Sequence, residues 1–200
     1  MTDAAASKAA CRRIVRERCA GLDDAARRAA GRVACARIAT LPRFAQSGTV
    51  MLYVPIPGEL DVTPLAEDLW RRSAVVCVPI ANWDERTMMP GRVEGFGDED
   101  LAPGRRGVRE PRQRRLIEPA ALDLIVVPGV AFDGAGGRLG RGAGFYDRFL
   151  AALPVRVWRI GVAFDVQIVD RVPMEEHDAR LDVVVSESRV ILPPEPSAPP

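Results

Sequence analysis

The stretch LDLIVVPGVAFDGAGGRLGRGAGFYDRFL, residues 122–150, decides the fold prediction for this chain. Its apolar run Leu124–Val127 stops at Pro128, and a glycine-rich loop then leads into an amphipathic segment that begins near Phe145. A buried strand followed by a loop and the start of a helix is how α/β proteins build an anion site, because the first N–H groups of a helix lack partners within it. The stretch therefore predicts an α/β fold with an anion site at the end of a strand.

The loop is rich in both glycine and arginine. Seven glycines lie between Gly129 and Gly144, and Arg138, Arg141 and Arg148 flank or interrupt them. Glycine lets the backbone approach a ligand closely, and arginine neutralises the charge of that ligand. The loop is not a Walker A motif, because no Gly-Lys-Ser/Thr follows it, and its last glycines alternate too closely for a dinucleotide-binding fingerprint. We expect a phosphate-bearing ligand.

The composition is typical of a soluble globular protein, with 48% hydrophobic and 28% charged residues over 200 positions. We expect one domain over residues 1–192 and a disordered proline-rich tail over residues 193–200. A net charge of +1 gives no reason to expect nucleic acid or a membrane surface as a partner. No apolar run of about 18 residues is present, and the N-terminus does not look like a signal peptide. We therefore expect a cytoplasmic monomer.

The cysteines and the single histidine limit the chemistry. The four cysteines show no C-x-x-C spacing, which favours reduced and mostly buried thiols. His177 is the only histidine, so a multi-histidine metal site is excluded and any Ser-His-Asp triad would have to use it.

Apolar runs alternate with helical patterns along the chain. Helices are predicted over residues 3–19, 63–72 and 144–153. Another is predicted after Gly21, with Asp23 or Asp24 as its N-cap and an end before Pro42. Strands are predicted over 49–54, over 74–78 with an end at Pro79, and over 122–127 and 155–164. A weaker strand is predicted over 87–93, late ones over 183–185 and 190–192, and residues 94–119 are predicted to be irregular. This order indicates a mainly parallel sheet covered on both faces, with ligands at the carboxyl ends of its strands. Glu59, Pro79-Ile80 and the glycine loop each follow a strand and are expected to line one crevice.

Two clusters of basic residues allow more than one interpretation. Lys8, Arg12 and Arg16 recur at four-residue spacing, and Lys8 is the only lysine beside 27 arginines. Spacing alone favours a solvated helix face for them. Six arginines lie within residues 105–115, where the absence of interleaved aromatic residues favours a solvated loop over a nucleic-acid site.

The strings PGVAFD (residues 128–133) and GRLGRGAGFYD (residues 137–147) together are far more specific than a bare G-x-G-x-G. They resemble the 5-formyltetrahydrofolate cyclo-ligase family, also called 5,10-methenyltetrahydrofolate synthetase, and the resemblance runs from Lys8 to about Ser186. It implies a three-layer α/β/α catalytic domain of the NagB/RpiA/CoA transferase-like kind. It also implies the ATP- and Mg²⁺-dependent closure of 5-formyltetrahydrofolate to 5,10-methenyltetrahydrofolate through phosphorylation of the formyl oxygen, with release of ADP and phosphate.

The resemblance also assigns residues, with no protein nucleophile among them. It implies that ATP contacts the K-x-x-x-R pair and the glycine loop, namely Lys8, Arg12, Arg138, Leu139, Gly140, Arg141, Gly142, Ala143, Gly144, Phe145 and Tyr146. It implies that the folate contacts Val54, Glu59 and Tyr146, and that Mg²⁺ is held by Asp147 and Asp178. The family's G-x-x-EP element matches residues 107–111.

Three positions depart from the family pattern. Ala143 stands where many relatives have Gly or Lys, Phe145 replaces the more usual Tyr, and Ile80 stands where relatives often have a basic residue. A side-chain contact from Ala143 and phosphate or glutamate-tail binding from the second strand are correspondingly weaker expectations. Without the resemblance, Asp147 also fits a first-turn carboxylate, Asp178 a turn, and Tyr146 a core position. Two rival functions stay open: a homologue that binds without turnover, and a different chemistry on a related fold.

Overall fold

A seven-stranded sheet forms the centre of the chain in a computed structural model that describes residues 3–175 and 178–194. The helices are α1 (Asp3–Ala20), α2 (Asp24–Ala39), α3 (Pro42–Gln46), α4 (Thr63–Arg71) and α5 (Phe145–Ala152). The strands are β1 (Thr49–Met51), β2 (Val75–Asn82), β3 (Thr87–Val93), β4 (Leu101–Pro103), β5 (Arg109–Pro111), β6 (Leu124–Val127), β7 (Ala131–Phe132), β8 (Arg138–Leu139), β9 (Trp158–Val162), β10 (Val183–Val185) and β11 (Val190–Ile191). His177 and residues 195–200 of the predicted tail lie outside the described residues.

The strand order in the sheet is β11-β10-β9-β6-β1-β2-β3. The neighbours from β10 to β2 pair in parallel, and only the edge strands β3 and β11 pair antiparallel. The prediction of a mainly parallel sheet is therefore confirmed. The chain builds outward from β1 to one edge and from β6 to the other. The carboxyl ends of β1 and β6 consequently flank a switch point, where a crevice opens in folds of this type.

Both faces of the sheet are covered, which confirms a three-layer α/β/α arrangement. Val50 and Leu52 pack in a core with Ile38 of α2 and Leu65 of α4. Met51, which lies between them in sequence, packs on the opposite side with a cluster that includes residues of α5. This alternation follows from the two-residue period of a strand, and burial on both sides explains why the strands read as continuous apolar runs.

Helix α1 packs away from the central sheet, on a hairpin formed by β7 and β8. Val15 is fully buried with Ala131, Leu139 and Val172 in a small separate cluster. Ile14, the neighbour of Val15 in sequence, is 42% exposed. The docking matters for function because it brings the basic face of α1 beside the glycine loop that follows β8.

Several predicted boundaries were wrong. β2 does not end at Pro79 but continues to Asn82, since Pro79 stands opposite Pro90 in the antiparallel ladder with β3. Such a pair fits a position at which neither strand donates an N–H to the other. The strand predicted over 49–54 is shorter, since β1 ends at Met51 and the chain then leaves the sheet to reach the crevice. The strand predicted over 155–164 is also shorter, since β9 begins only at Trp158 and ends at Val162.

Two hairpins were not predicted. Residues 94–119 contain β4 and β5 in a small antiparallel sheet rather than only irregular structure. β7 and β8 interrupt the glycine-rich stretch, and their turn is built around Asp133, whose carboxylate accepts hydrogen bonds from Ala135 N and Gly137 N. Only the glycines after Leu139 therefore remain for a phosphate loop. Within the described ranges, none of the helices combines the length and apolar character needed to cross a membrane.

Candidate functional site

A cleft opens at the carboxyl ends of β1, β2 and β6. It encloses about 990 Å³ of space, including the open solvent at its mouth. Its walls come from the ends of the three strands, from the loop before α5, from the β4–β5 hairpin and from neighbouring segments: Tyr53, Val54, Ile56, Glu59, Pro79, Ala81, Trp83, Met88, Val108, Arg109, Pro128, Gly129, Arg138 and residues 140–147. Of the residues expected to line one crevice, Glu59, Pro79 and the glycine loop do share one cavity, whereas Ile80 is not among its lining residues.

The glycine loop adopts a conformation that requires glycine at two positions. Gly142 has a φ of 103° and Gly144 a φ of 74°, a region in which a side chain is strained. Gly144 is also the N-cap of α5, so the loop delivers the first turn of that helix to the cleft wall. Backbone N–H groups and the positive end of the helix dipole then favour an anion at this point.

Arg12 joins α1 to this loop. Its Nε donates to Gly140 O at 2.8 Å, and its guanidinium carbon lies 3.7 Å from the place a Cβ on Gly142 would occupy. Lys8 and Arg12 thus face the protein, whereas Arg16 is exposed. The solvated-face interpretation of the basic stripe holds for Arg16 and is wrong for the other two residues.

Lys8 lies between two carboxylates of the segment that follows Val172. Its Nζ is 2.6 Å from Asp178 Oδ2 and 2.6 Å from Glu175 Oε2, and its side chain is only 13% exposed. Desolvation lowers the pKa of Lys8, but the hydrogen bonds and charges of Asp178 and Glu175 outweigh that effect and raise it above 10.5. The Lys8 ammonium group is therefore charged and is held in place by these two carboxylates. Glu175 was not identified from the sequence, because it lies 167 positions from Lys8 and only the fold brings the two residues together.

Glu59 links the end of β1 to the glycine loop. Its Oε1 lies 3.1 Å from Arg141 Nε, and its Oε2 accepts a hydrogen bond from Ile56 N at 3.3 Å. The Glu59 side chain is 14% exposed, whereas that of Arg141 is 52% exposed. Burial raises the pKa of Glu59, and Arg141 and the Ile56 N–H only partly oppose the rise. Further hydrogen-bond donors inside the cleft would therefore stabilise the ionised Glu59 carboxylate.

Two phenols line the deeper part of the cleft. Tyr53 is buried and donates its hydroxyl hydrogen bond to Leu60 O at 2.6 Å. Burial raises the pKa of Tyr146, with the Glu59 charge acting in the same direction and Arg138 opposing it. Both rings therefore carry neutral hydroxyl groups at physiological pH. Tyr146 lies in the cleft wall as the resemblance implied, and not simply in the core.

Arg138 is almost completely buried. Its side chain is 2% exposed, its Nη2 forms an ion pair with Asp147, and its Nη1 donates to Pro128 O at 3.2 Å. The guanidinium carbon lies 5.5 Å from the centre of the Tyr146 ring. This burial was not predictable from the local sequence, because arginines normally lie at the surface.

The two aspartates predicted to hold Mg²⁺ are each paired with a cation. Asp147 pairs with Arg138 and lines the cleft, while Asp178 pairs with Lys8 and accepts a hydrogen bond from Glu175 N. Among the described residues, His, Cys, Asp and Glu side chains do not gather in threes around a possible metal position. Mg²⁺ is commonly bound by one or two carboxylates together with substrate phosphates. Asp147 lines the cleft and offers carboxylate oxygens of this kind, whereas Asp178 is not among the residues that line it.

The remaining predicted residues differ in what they can offer. Val54 and Ala143 line the cleft with apolar side chains. The Leu139 side chain is buried beside Val15, and its carbonyl accepts a hydrogen bond from Val130 N. Leu139 therefore supports the glycine loop through packing and a backbone hydrogen bond. Ile80 is 5% exposed, and an apolar side chain suits this buried position, where relatives often have a basic residue.

The cleft has an aromatic and apolar wall, to which the sequence had assigned no role: a core position and a place at the cleft rim were both open for Trp83. Trp83 lines the cleft, and its ring meets that of Phe145 edge to face with centroids 5.0 Å apart. Val108 and Arg109 of the β4–β5 hairpin also line the cleft, so the arginine-rich loop is not simply solvated. Glu110 accepts a hydrogen bond from Ala81 N and ties the hairpin to β2. A position in a β-turn after a strand was the only available signal for Trp83.

Comparison with known proteins gives concordant results. The profile of the 5-formyltetrahydrofolate cyclo-ligase family matches residues 4–187. The chain is similar to the 5-formyltetrahydrofolate cyclo-ligase of Escherichia coli strain K12, with 33% identity over 183 residues that cover 88% of this chain and 98% of that protein. It is also similar to the enzyme of that name from Mycolicibacterium smegmatis, with 35% identity over 149 residues that cover 72% of this chain and 76% of that protein.

Solved structures show the same relationship. The NMR structure of 5,10-methenyltetrahydrofolate synthetase from Aquifex aeolicus superimposes with a TM-score of 0.81 at 32% identity and covers 96% of both chains. A 5,10-methenyltetrahydrofolate synthetase from Mycoplasma pneumoniae superimposes with a TM-score of 0.73, covering 90% of this chain and 98% of that one. At 22% identity, the second similarity concerns the fold alone.

Proposed function

The chain belongs to the 5-formyltetrahydrofolate cyclo-ligase family, and on that premise we propose that its cleft uses ATP and Mg²⁺ to close 5-formyltetrahydrofolate to 5,10-methenyltetrahydrofolate. The observation that supports this most is the 3.1 Å contact between Arg141 and Glu59. It joins the glycine loop, which suits phosphates, to a buried carboxylate that suits the donor groups of a pterin. Two substrates that react with each other need such adjoining sites.

The proposed reaction is a phosphoryl transfer followed by ring closure. The formyl oxygen of the folate attacks the γ-phosphorus of ATP, the bond to the β–γ bridging oxygen breaks, and ADP leaves. Nitrogen 10 then attacks the activated formyl carbon, loses its proton, and inorganic phosphate departs with the former formyl oxygen. Such chemistry depends on alignment and charge neutralisation rather than on a protein nucleophile. This agrees with a cleft that brings together arginines, glycines and carboxylates.

In this proposal the nucleotide lies along the glycine loop. Backbone N–H groups of residues 140–144 and the start of α5 hold the phosphates, while Lys8, Arg12 and Arg141 neutralise their charge. Lys8 and Arg141 are both paired with carboxylates at 2.6 and 3.1 Å. Phosphate oxygens would therefore compete with Asp178 and Glu59 for these cations, and the arrival of ATP would leave Glu59 open to the folate.

The folate is proposed to lie toward the end of β1. Glu59 would accept hydrogen bonds from the pterin, and these would replace the hydrogen bonds from water that its burial removes. Val54 and Tyr146 would bound the ring, with the neutral hydroxyl of Tyr146 as a hydrogen-bonding group. Asp147 and Asp178 would hold Mg²⁺, which when bound neutralises phosphate charge. We also propose that the chain works as a monomer in the cytoplasm, without nucleic acid.

An absorbance assay tests the proposal. Purified protein, 5-formyltetrahydrofolate, ATP and Mg²⁺ should together produce the near-ultraviolet absorbance of the methenyl product. Omitting ATP, or chelating the metal with EDTA, should abolish the rise, and excess Mg²⁺ should restore it after EDTA. A flat trace from folded protein would favour a homologue that binds without turnover. A rise that needs no ATP would favour another chemistry on the same fold.

A further inference from the structure

The buried guanidinium of Arg138 is joined to three parts of the cleft wall. It forms an ion pair with Asp147, donates to Pro128 O at the end of β6, and lies over the Tyr146 ring at 5.5 Å. Asp147 and Tyr146 belong to the first turn of α5, whereas Pro128 follows the central strand. Arg138 therefore connects the sheet to the helix that carries two of the proposed site residues.

The local backbone is shaped to admit this side chain. A Cβ at Gly140 would stand 3.1 Å from Arg138 Nη1, closer than ordinary contact. The close approach of Arg138 therefore explains the glycine at this position, in addition to the close approach expected of a ligand. Only 2% of the Arg138 side chain is exposed, and its Nη2 and Nη1 are already engaged by Asp147 and Pro128 O, whereas its Nε has no hydrogen-bond partner among the described residues.

We infer that Arg138 is a positioning residue, which fixes Asp147 and Tyr146 in the orientation the reaction needs. This inference rests on the proposed function of the cleft. A planar guanidinium can satisfy a carboxylate and a carbonyl in fixed directions while its face rests on an aromatic ring. A lysine ammonium group is a point charge, so it can replace arginine as a phosphate ligand but not as a three-way connection.

A double-mutant cycle tests the inference, using Arg138→Lys, Asp147→Asn and the combination of both. If Arg138 acts through Asp147, Arg138→Lys should lower kcat at least about tenfold at a temperature where circular dichroism shows the variant folded. The kcat/KM of the double variant should then lie within about threefold of that of the worse single variant, because the second change removes a connection already lost. Arg159→Lys is the matched control: Arg159 also donates to a backbone carbonyl, that of Leu150, but lies outside the cleft wall. It should leave kcat unchanged.

Thermal unfolding of the same variants separates this inference from the proposed function. The shifts in Tm should be non-additive for Arg138→Lys and Asp147→Asn, whether or not the protein turns over folate. Additive shifts in Tm, kinetic effects that multiply, or an Arg138→Lys variant within twofold of wild type would each overturn the positioning role. A wild-type protein with no turnover but with coupled Tm shifts would reject the proposed function and leave the Arg138–Asp147 connection standing.

Discussion

Replacing Lys8 with Met tests the placement of α1 against the site. Met keeps most of the apolar stem and removes the ammonium group, so the change acts on the ion pairs with Asp178 and Glu175. Asp178 is 8% exposed and Glu175 is 42% exposed, so the two contacts differ in strength. Breaking a fully buried pair costs about 3–5 kcal/mol, whereas an exposed pair contributes about 0–1 kcal/mol. Lys8 lies between these limits, and we expect the free energy of unfolding to fall by about 2–3 kcal/mol.

The expected loss can be read as a thermal shift. For a domain of this size about 1 kcal/mol corresponds to 2–4 °C, which gives a fall in Tm of about 4–12 °C. Lys8→Arg, which keeps the charge, should recover much of it. The folded pKa of Lys8 is raised, so its stabilisation is fully present below the usual pKa of 10.5 and is lost as the pH rises through the folded pKa. The difference between wild type and Lys8→Met should therefore shrink in alkaline buffer.

The same variant should use ATP poorly. Hydrogen bonds to charged groups contribute about 1.5–3 kcal/mol, so kcat/KM for ATP should fall about tenfold or more. Steady-state kinetics at saturating folate, at a temperature well below Tm, measure this fall. A Tm and ATP kinetics both equal to those of wild type would refute the reasoning. A lower Tm with unchanged ATP kinetics would limit Lys8 to holding α1 in place.

The other predictions concern the loop and the carboxylate. Arg12→Ala should raise KM for ATP about tenfold, whereas Arg16→Ala, an exposed residue of the same stripe, should leave it unchanged. Gly142→Ala should cost about 1–2 kcal/mol of stability and weaken nucleotide binding in calorimetry, because its φ is 103°. Gly134→Ala, with open space around it, is the control; equal effects would contradict the loop geometry. Glu59→Gln should raise Tm near pH 7, since ionising a carboxyl of raised pKa costs stability above that pKa and nothing below 4.5, and it should abolish folate binding. A lower Tm would show that Glu59 is stabilising.

Much of the fold was predictable because its strands obey local rules. Continuous apolar runs such as Leu124–Val127 identified central strands. Of the two N-cap candidates for α2, Asp23 and Asp24, it is Asp23 that accepts a hydrogen bond from Ala26 N, at 2.7 Å. The end of β2 was not predictable. Pro79 normally stops a strand, and only its pairing opposite Pro90 of the neighbouring strand makes it tolerable.

The site was predictable in composition but not in its contacts. Lys8 and Arg12 were placed by resemblance, while their spacing alone suggested a solvated face. The partners of Lys8, Glu175 and Asp178, are 167 and 170 positions away. The pairing of Glu59 with Arg141 spans 82 positions. Such contacts depend on how α1 and the loop dock on the sheet, which no local pattern records. The burial of Arg138 was missed for the same reason.

The measurement that tests the central claim most directly is the ratio of inorganic phosphate released to methenyl product formed, followed in one reaction containing ATP, Mg²⁺ and 5-formyltetrahydrofolate. If the cleft couples phosphoryl transfer to ring closure, one phosphate should appear for each methenyl group, and neither should appear when one substrate is omitted. Methenyl product without phosphate, or phosphate released without the folate, would contradict the account.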